Sequence, residues 1–167
     1  MDLVIALANP RAADVAAVLE RHMDVMRADT PPAHVHALPA ERLQDPAVSL
    51  FGARRGGMLV GIGAIRQLDS GHAEIKSMHT VAEARGQGVG RAVLRHLLQV
   101  ARTRGYQRVS LETGTMPAFE PARAMYRAAG FERCAPFGEY TRNPFSICMS
   151  LVLRGEPPSP AGLVQAT

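Results

Sequence analysis

The chain has 167 residues, enough for one domain with a buried core but too few for two domains of ordinary size. Hydrophobic residues make up 47% of it and charged residues 20%, which is typical of globular proteins, and no apolar run is long enough to cross a bilayer. The net charge of +4 comes from scattered arginines rather than a basic block, so the sequence gives little support to nucleic-acid binding.

The N-terminus and the cysteines both indicate a reducing, cytoplasmic compartment. The apolar N-terminal segment begins with the acidic Asp2, where a secretory signal peptide would carry basic residues, so we expect no signal peptide and no membrane partner. The only cysteines, Cys134 and Cys148, lack the spacing of metal ligands, and we expect both to be reduced and buried. His34 and His36 have no third ligand nearby, which favours an ordinary loop over a metal site.

The first half of the chain predicts four strands and one long helix. The apolar residues 3–8 predict the first strand, which an Asn-Pro turn ends. Apolar residues then recur at helical spacing from residues 11–29, where a Thr-Pro-Pro sequence breaks the helix. Residues 48–53 and 58–66 predict a β-hairpin, and residues 73–81 predict the fourth strand.

A glycine-rich, basic loop, residues 85–90, follows the fourth strand and leads into an amphipathic helix. Its sequence Arg-Gly-Gln-Gly-Val-Gly has glycine at alternate positions, which lets the backbone turn its N–H groups toward a close ligand. The first amides of a helix are unpaired and carry partial positive charge, so the loop predicts a diphosphate site to which Arg85 and Arg91 add formal charge. A glycine-rich helix start that binds no ligand is the alternative.

Two better-known phosphate motifs do not fit this loop. The dinucleotide-binding fingerprint requires glycine at the first, third and sixth positions, but the sixth residue counted from Gly86 is Arg91. A P-loop requires Gly-Lys followed by Ser or Thr, which this segment lacks. The loop therefore predicts phosphate binding of a different kind.

Beyond the loop and its helix, strands and helices continue to alternate. Residues 108–114 are rich in strand formers, a second helix then ends in a Gly-Phe pair, and residues 145–153 alternate between apolar and polar, as a half-buried strand does. Residues 154–167 contain three prolines and little that could pack. We therefore expect one domain, residues 1–153, followed by a disordered tail.

The order of these elements and the Arg-x-x-Gly-x-Gly sequence of residues 85–90 resemble the GCN5-related N-acetyltransferase (GNAT) superfamily, as does the helix that carries Tyr126 before the Gly-Phe pair. The segments EIKSM, LETG, FEPARAMY and PFGEY further resemble a bacterial YsnE-like subgroup of acetyltransferases, and this similarity covers residues 48–153. The chain has His79 and Asn143 where members of that subgroup tend to have an arginine and an acidic residue.

The resemblance implies an α/β (α+β) fold of the GNAT type. Such a fold has a central mixed, mostly antiparallel twisted sheet of six to seven strands, flanked by about four helices. The implied activity moves the acetyl group of acetyl-CoA to a primary amine of a small molecule by direct attack in a ternary complex, and homodimers are common in the superfamily. The alternatives are acetylation of a protein lysine or N-terminus and a catalytically silent CoA-binding module.

Acetyl transfer to an amine requires a base, a donor to the oxyanion and an acid for the leaving thiolate. The resemblance implies Glu74 as the base, or as the holder of a water that serves as one, and Tyr126 as the acid. A Glu74–Lys76 pair on a solvated face and a core tyrosine are the alternatives. A bulge near Met78 would free strand amides for the cofactor. The implied cofactor contacts are Met78, His79, Thr80, Arg85, Gly86, Gln87, Gly88, Val89, Gly90, Arg91 and Tyr126.

The resemblance also implies a set of acceptor-binding residues on the strands, the second helix and the loop before the last strand. They are Lys76, Glu112, Thr113, Phe119, Arg123, Phe137 and Tyr140. The alternatives are that Phe119 and Phe137 belong to the core and that Glu112 and Arg123 form an ion pair. Lys76, Arg123 and Arg142 indicate an acceptor that bears a carboxylate, such as an amino acid, because guanidinium groups bind carboxylates in bidentate fashion.

Overall fold

The structure of the chain, a computed structural model, describes residues 2–153. Within them, seven strands form one sheet and three α-helices flank it. The strands are β1 (Leu3–Leu7), β2 (Val48–Arg55), β3 (Met58–Gln67), β4 (His72–Thr80), β5 (Arg108–Gly114), β6 (Glu132–Cys134) and β7 (Ser146–Val152), and the helices are α1 (Ala13–Asp29), α2 (Val89–Thr103) and α3 (Glu120–Ala128). The expected tail, residues 154–167, lies outside the described residues.

The sheet is mixed and mostly antiparallel, as predicted. Its strand order is β1-β2-β3-β4-β5-β7-β6, and of the pairs formed in residues 2–153 the β4–β5 pair alone is parallel. The predicted hairpin is the β2–β3 pair, and the predicted fourth strand is β4, which begins one residue earlier than expected, at His72.

The long helices bury the apolar faces that their sequences predict. In α1, Val15, Val18 and Leu19 are buried, and in α2 the buried residues recur at helical spacing. The buried residues of α2 are Val89, Val93, Leu94, Leu97, Leu98 and Ala101. The shorter α3 buries only Tyr126. No helix in residues 2–153 is both long and apolar enough to cross a membrane.

The two halves of the sheet diverge between β4 and β5. These strands pair over three positions, from His72 opposite Arg108 to Glu74 opposite Ser110. Past that point β4 continues to pair with β3, whereas β5 continues to pair with β7. The diverging strands leave a wedge-shaped opening in the middle of the sheet, which we call the cleft.

A β-bulge on β4 lies at the mouth of the cleft, as the sequence analysis predicted near Met78. Ser77 has a φ of 55°, and the β3–β4 register shifts between Ile62 and Ala64. Gly63, opposite the bulge, has no space for a side chain: a Cβ there would lie 2.6 Å from the Val93 side chain and 2.7 Å from the sulfur of Met78. Glycine at this position therefore lets the bulge and α2 pack together.

Candidate functional site

The glycine-rich loop, residues 85–90, presents a row of free backbone donors beside the cleft. Gly86 and Gly88 have φ angles of 74° and 81°, which favour glycine, and Gly88 caps α2 without a side-chain hydrogen bond. The amide of Ala92 is bonded to the Gly88 carbonyl at 3.0 Å, but those of residues 86–91 have no backbone acceptor among the described residues. Together with the positive end of the helix, these amides can bind an anion such as a diphosphate.

Three arginines surround the loop. Arg85 and Arg91 are exposed, and Nε of Arg85 donates a hydrogen bond to the carbonyl of Thr80 at 3.4 Å. Arg55, from the end of β2, donates to the side-chain oxygen of Gln87. Arg55 was not predicted from the sequence, because it lies 32 residues before Gln87 and no sequence pattern indicates that the hairpin approaches the loop.

A pocket of about 90 Å³ opens in the cleft. Five of the predicted acceptor residues line it, together with Glu74, Met78 and Tyr126, and Arg123 and Phe137 do not line it. The five are Lys76, Glu112, Thr113, Phe119 and Tyr140. The structure thus brings most of the predicted catalytic and acceptor residues to one place.

Glu74 is 2% exposed and forms a three-membered network at the base of the pocket. It accepts hydrogen bonds from Nζ of Lys76, at 3.2 Å, and from the hydroxyl of Tyr140, and Lys76 also donates to the Tyr140 oxygen at 2.6 Å. Burial, reinforced by the charge of Glu74, raises the pKa of Tyr140. Glu74 and Lys76 do form the ion pair that the sequence analysis gave as an alternative, but the pair is buried and does not lie on a solvated face.

Glu112, on β5, is a second buried carboxylate in the pocket, and no lysine or arginine of residues 2–153 forms an ion pair with it. Its side chain is 7% exposed, and its Oε2 atom has no hydrogen-bond partner in the described part of the chain. The nearest cationic candidate is Nε2 of His36, at 3.8 Å. Burial raises the pKa of Glu112 to about 7, and the charge of Glu74 adds to this shift while Lys76 opposes it. Glu112 therefore exchanges a proton near neutral pH.

Arg123 has a different role from the ones considered from the sequence. Its Nη1 atom donates to the carbonyls of Gly114, at 2.5 Å, and Met116, at 3.1 Å, and its other nitrogens bind Glu120. The alternative of a Glu112–Arg123 ion pair is therefore wrong. Arg123 ties α3 to the end of β5 and so holds the wall of the cleft in place.

The sequence indicated an acceptor that bears a carboxylate, but among residues 2–153 the pocket offers no free cation that could bind one. Lys76 is already paired with Glu74, and Arg123 is bonded to carbonyls and to Glu120. Arg142 is exposed and does not line the pocket. The charges that the pocket offers therefore fit an ammonium group better than a carboxylate.

Aromatic contacts position the other predicted side chains. Phe137 packs against the ring of Tyr140, with centroids 5.0 Å apart, and so supports it from outside the pocket. Tyr126 is 5% exposed, packs on Phe131 and reaches the pocket from α3, and burial raises its pKa. Its phenol therefore stays protonated at neutral pH.

His79, the residue that departs from the YsnE-like pattern, packs edge-on against His22 of α1, with ring centroids 5.3 Å apart. Burial lowers the pKa of each ring to about 4, so both are neutral near pH 7. The pair therefore contributes packing, without charge, where β4 passes α1.

Comparison with known proteins identifies the family. A model described as "Acetyltransferase (GNAT) family" matches residues 16–131, which is more than half of the chain. The chain belongs to the GNAT family. It is 43% identical over 136 residues to the uncharacterized N-acetyltransferase YsnE of Bacillus subtilis, covering 81% of this chain and 90% of YsnE. It is 40% identical over 139 residues to the uncharacterized N-acetyltransferase YedL of Escherichia coli, covering 83% and 87%.

The fold of this GNAT protein also matches solved structures. The PaiA N-acetyltransferase of Thermoplasma acidophilum, in complex with coenzyme A, superposes with a TM-score of 0.71 at 13% identity, covering 92% of this chain and 100% of PaiA. As a GNAT member, the protein is an acyl-CoA-dependent N-acetyltransferase that uses acetyl-CoA. The free amides of residues 86–91 and the arginines around them fit the diphosphate of that cofactor.

The raised pKa of Glu112 makes a prediction about stability. Its pKa rises from 4.5 to about 7 on folding. Below pH 4.5 the carboxyl is protonated in both states and does not affect stability, and as the pH rises from 4.5 to 7 the cost of ionising it in the folded state lowers the free energy of unfolding. The free energy of unfolding of Glu112→Gln minus that of the wild type should therefore grow between pH 4.5 and 7.5, by up to about 3 kcal/mol. Urea titrations at stepped pH values measure this difference.

Glu120→Gln is the matched control, because arginine hydrogen bonds lower the pKa of this exposed carboxyl. The free energy of unfolding of Glu120→Gln minus that of the wild type should fall as the pH rises, by a smaller amount than for Glu112→Gln and in a range below pH 4.5. A Glu112→Gln difference that does not depend on pH would show that Glu112 keeps an ordinary pKa.

Proposed function

We propose that the protein acetylates a primary amine of a small molecule, by direct attack of that amine on acetyl-CoA in a ternary complex. The observation that carries this proposal is the unpartnered, buried Oε2 atom of Glu112 in a small pocket beside the β4 bulge. A carboxylate in this setting attracts an ammonium group and can then accept its proton.

The cofactor residues proposed are those that the sequence predicted, together with Arg55. The amides of residues 86–91 would hold the diphosphate, with Arg85, Arg91 and Arg55 adding charge. Beyond Glu74, β4 no longer pairs with β5, so the backbone of Met78, His79 and Thr80 can offer hydrogen bonds to the pantetheine arm from that side. When bound, the cofactor supplies an acetyl thioester and a thiolate leaving group.

We propose Glu112 as the general base in place of Glu74. The Oε1 atom of Glu74 already accepts hydrogen bonds from Lys76 and Tyr140, so this oxygen is occupied when an amine enters the pocket. Glu112 has a free oxygen and a pKa near the working pH, which is the condition for efficient proton transfer. In this arrangement the Glu74 network positions the pocket wall, and Glu112 takes the proton.

Tyr126 is the proposed acid for the departing thiolate. It reaches the pocket from α3, opposite the strand that carries the bulge, and its buried phenol is protonated throughout the physiological pH range. A phenol can donate a proton to a thiolate when the two lie within hydrogen-bond distance.

The acceptor is better described as a small amine than as a peptide. The hydrogen bond between Tyr140 and Glu74 holds Tyr140, from residues 136–144, in the wall of a pocket of about 90 Å³, which is small for a polypeptide. The free carboxylate of Glu112 also distinguishes the pocket from that of a silent CoA-binding module, which has no use for a buried unpaired charge. Screening amines by release of free thiol from acetyl-CoA tests the proposal, and no turnover with any small amine would contradict it.

Gly88→Val should abolish binding of acetyl-CoA and of CoA. A β-branched residue cannot adopt a φ of 81° without strain, so the loop would distort and lose its row of amides. Isothermal titration calorimetry measures the loss. Gly105→Val is the matched control, since Gly105 has the same φ at the other end of α2 and an equally open Cβ position. It should cost similar stability but bind the cofactor, and binding by Gly88→Val would remove the loop assignment.

Glu112→Gln should lower kcat by about 10²–10⁴-fold and leave the Kd for acetyl-CoA unchanged, because it removes only the proton acceptor. The wild-type rate should rise as the pH passes about 7, and the variant should lose this rise. Glu74→Gln should instead act mainly on the KM of the amine. Wild-type turnover by Glu112→Gln together with loss of turnover in Glu74→Gln would return the role of base to Glu74.

Tyr126→Phe should lower kcat by at least about tenfold with little change in the Kd for acetyl-CoA, because only the donating hydroxyl is lost. Tyr106→Phe is the control: Tyr106 is also buried but does not line the pocket, so its variant should turn over normally. Equal kcat values for the two variants would exclude Tyr126 as the acid.

A further inference from the structure

The two cysteines of the chain face each other across neighbouring strands. Cys134, the last residue of β6, is directly opposite Cys148 of β7 in the antiparallel register. Residues opposed in this way have Cα atoms about 4.5–5.5 Å apart and side chains on the same face of the sheet. A disulfide needs Cα atoms about 4.4–6.8 Å apart. The two thiols, which are free in this structure, could therefore be joined with little movement of the backbone.

The surroundings of the two sulfur atoms give them different roles. Cys134 is partly exposed, and the hydroxyl of Ser150 donates a hydrogen bond to its sulfur at 3.2 Å. The same hydroxyl is the last member of a series of hydrogen bonds: Nε2 of His72 lies 2.6 Å from Oγ of Ser110, which lies 2.6 Å from Oγ of Ser150. Cys148 is buried, and burial raises its pKa to about 11. A reagent from solution therefore meets Cys134 first, and Cys148 is placed to react second.

The cysteine pair is connected to the acceptor pocket through residues 136–144. The backbone of Phe137 approaches the sulfur of Cys148 and acts on its pKa, lowering it against the effect of burial. The ring of Phe137 packs against Tyr140, whose hydroxyl is bonded to Glu74 in the pocket. A change at the Cys148 sulfur therefore acts on residues 136–144, which supply Tyr140 to the wall of the pocket.

We propose that Cys134 and Cys148 form a reversible thiol–disulfide pair, and that closing the disulfide loosens residues 136–144. In the first step the Cys134 thiolate attacks a small-molecule disulfide such as oxidised glutathione, forming a mixed disulfide and releasing one thiolate. Cys148, as it loses its proton, then attacks the Cys134 sulfur and releases the second. Two electrons pass from the protein thiols to the reagent, and the two protons go to the released thiolates.

The test uses the full chain and oxidised glutathione. After incubation of the native protein, acid quenching and alkylation, intact-mass and peptide analysis should show a wild type that has lost two hydrogen atoms and both alkylatable thiols. Dithiothreitol should restore both. Cys148→Ser should instead accumulate one glutathione adduct, located on Cys134, because the resolving thiol is gone. Cys134→Ser, whose remaining thiol is buried, should acquire neither modification over the same period.

Hydrogen exchange supplies the second readout, which does not depend on acetyl transfer or on the proposed function. Amides of residues 136–144 should exchange faster in the oxidised wild type than in the reduced wild type, with no such change in glutathione-treated Cys134→Ser. A wild type that keeps a stable glutathione adduct, or that reacts only in urea, would overturn the disulfide. Unchanged exchange in a confirmed disulfide form would overturn its link to the pocket. The wild-type results decide both points even if a serine variant folds poorly.

Discussion

The structure depends on the short pairing between β4 and β5. A parallel pair that continued along both strands would satisfy every backbone group and leave a closed, featureless sheet, but here the ladder ends after Glu74 and Ser110. The antiparallel partners on the outer sides, β3 and β7, hold the two halves of the sheet apart. The separation provides space for ligands and leaves strand amides of the described residues without a ladder partner. One topological feature therefore accounts for both the proposed cofactor site and the proposed acceptor site.

The electrostatics of the cleft follow from the same feature. Burying Glu74 and Glu112 on adjacent strands costs free energy, and a single ammonium group, that of Lys76, can neutralise only one of them. The pair that forms holds Tyr140 over the pocket, and the carboxylate left over acquires a pKa of about 7. The pocket therefore combines a buried ion pair, Glu74 with Lys76, and one carboxyl group whose pKa lies near neutrality, which are the properties that the proposed role of Glu112 as a base requires.

Much of the fold was accessible from the sequence because its signals are local. The β2–β3 hairpin, α1, α2 and the glycine-rich loop follow from hydrophobic period, turn residues and the conformational needs of glycine, and the family comparison confirmed the resemblance. Arg55 beside Gln87 and the Cys134–Cys148 register were not predicted, since each joins residues far apart in the chain or depends on strand pairing. The contact of Arg123 with the end of β5 was missed because its partners there are backbone carbonyls, which carry no sequence signal.

The amino-acid sequence by itself determined most of the elements and the glycine-rich loop, and it named five of the side chains that line the pocket. The tertiary structure alone decided how those side chains interact. Glu74 accepts hydrogen bonds from Lys76 and Tyr140, whereas Oε2 of Glu112 has no hydrogen-bond partner in residues 2–153. The reason is physical. The sequence states which residue types are present and at what spacing they recur. The proton affinity of a carboxylate depends instead on how deeply it is buried and on which charges lie within a few ångströms of it. Only the packed fold sets those distances.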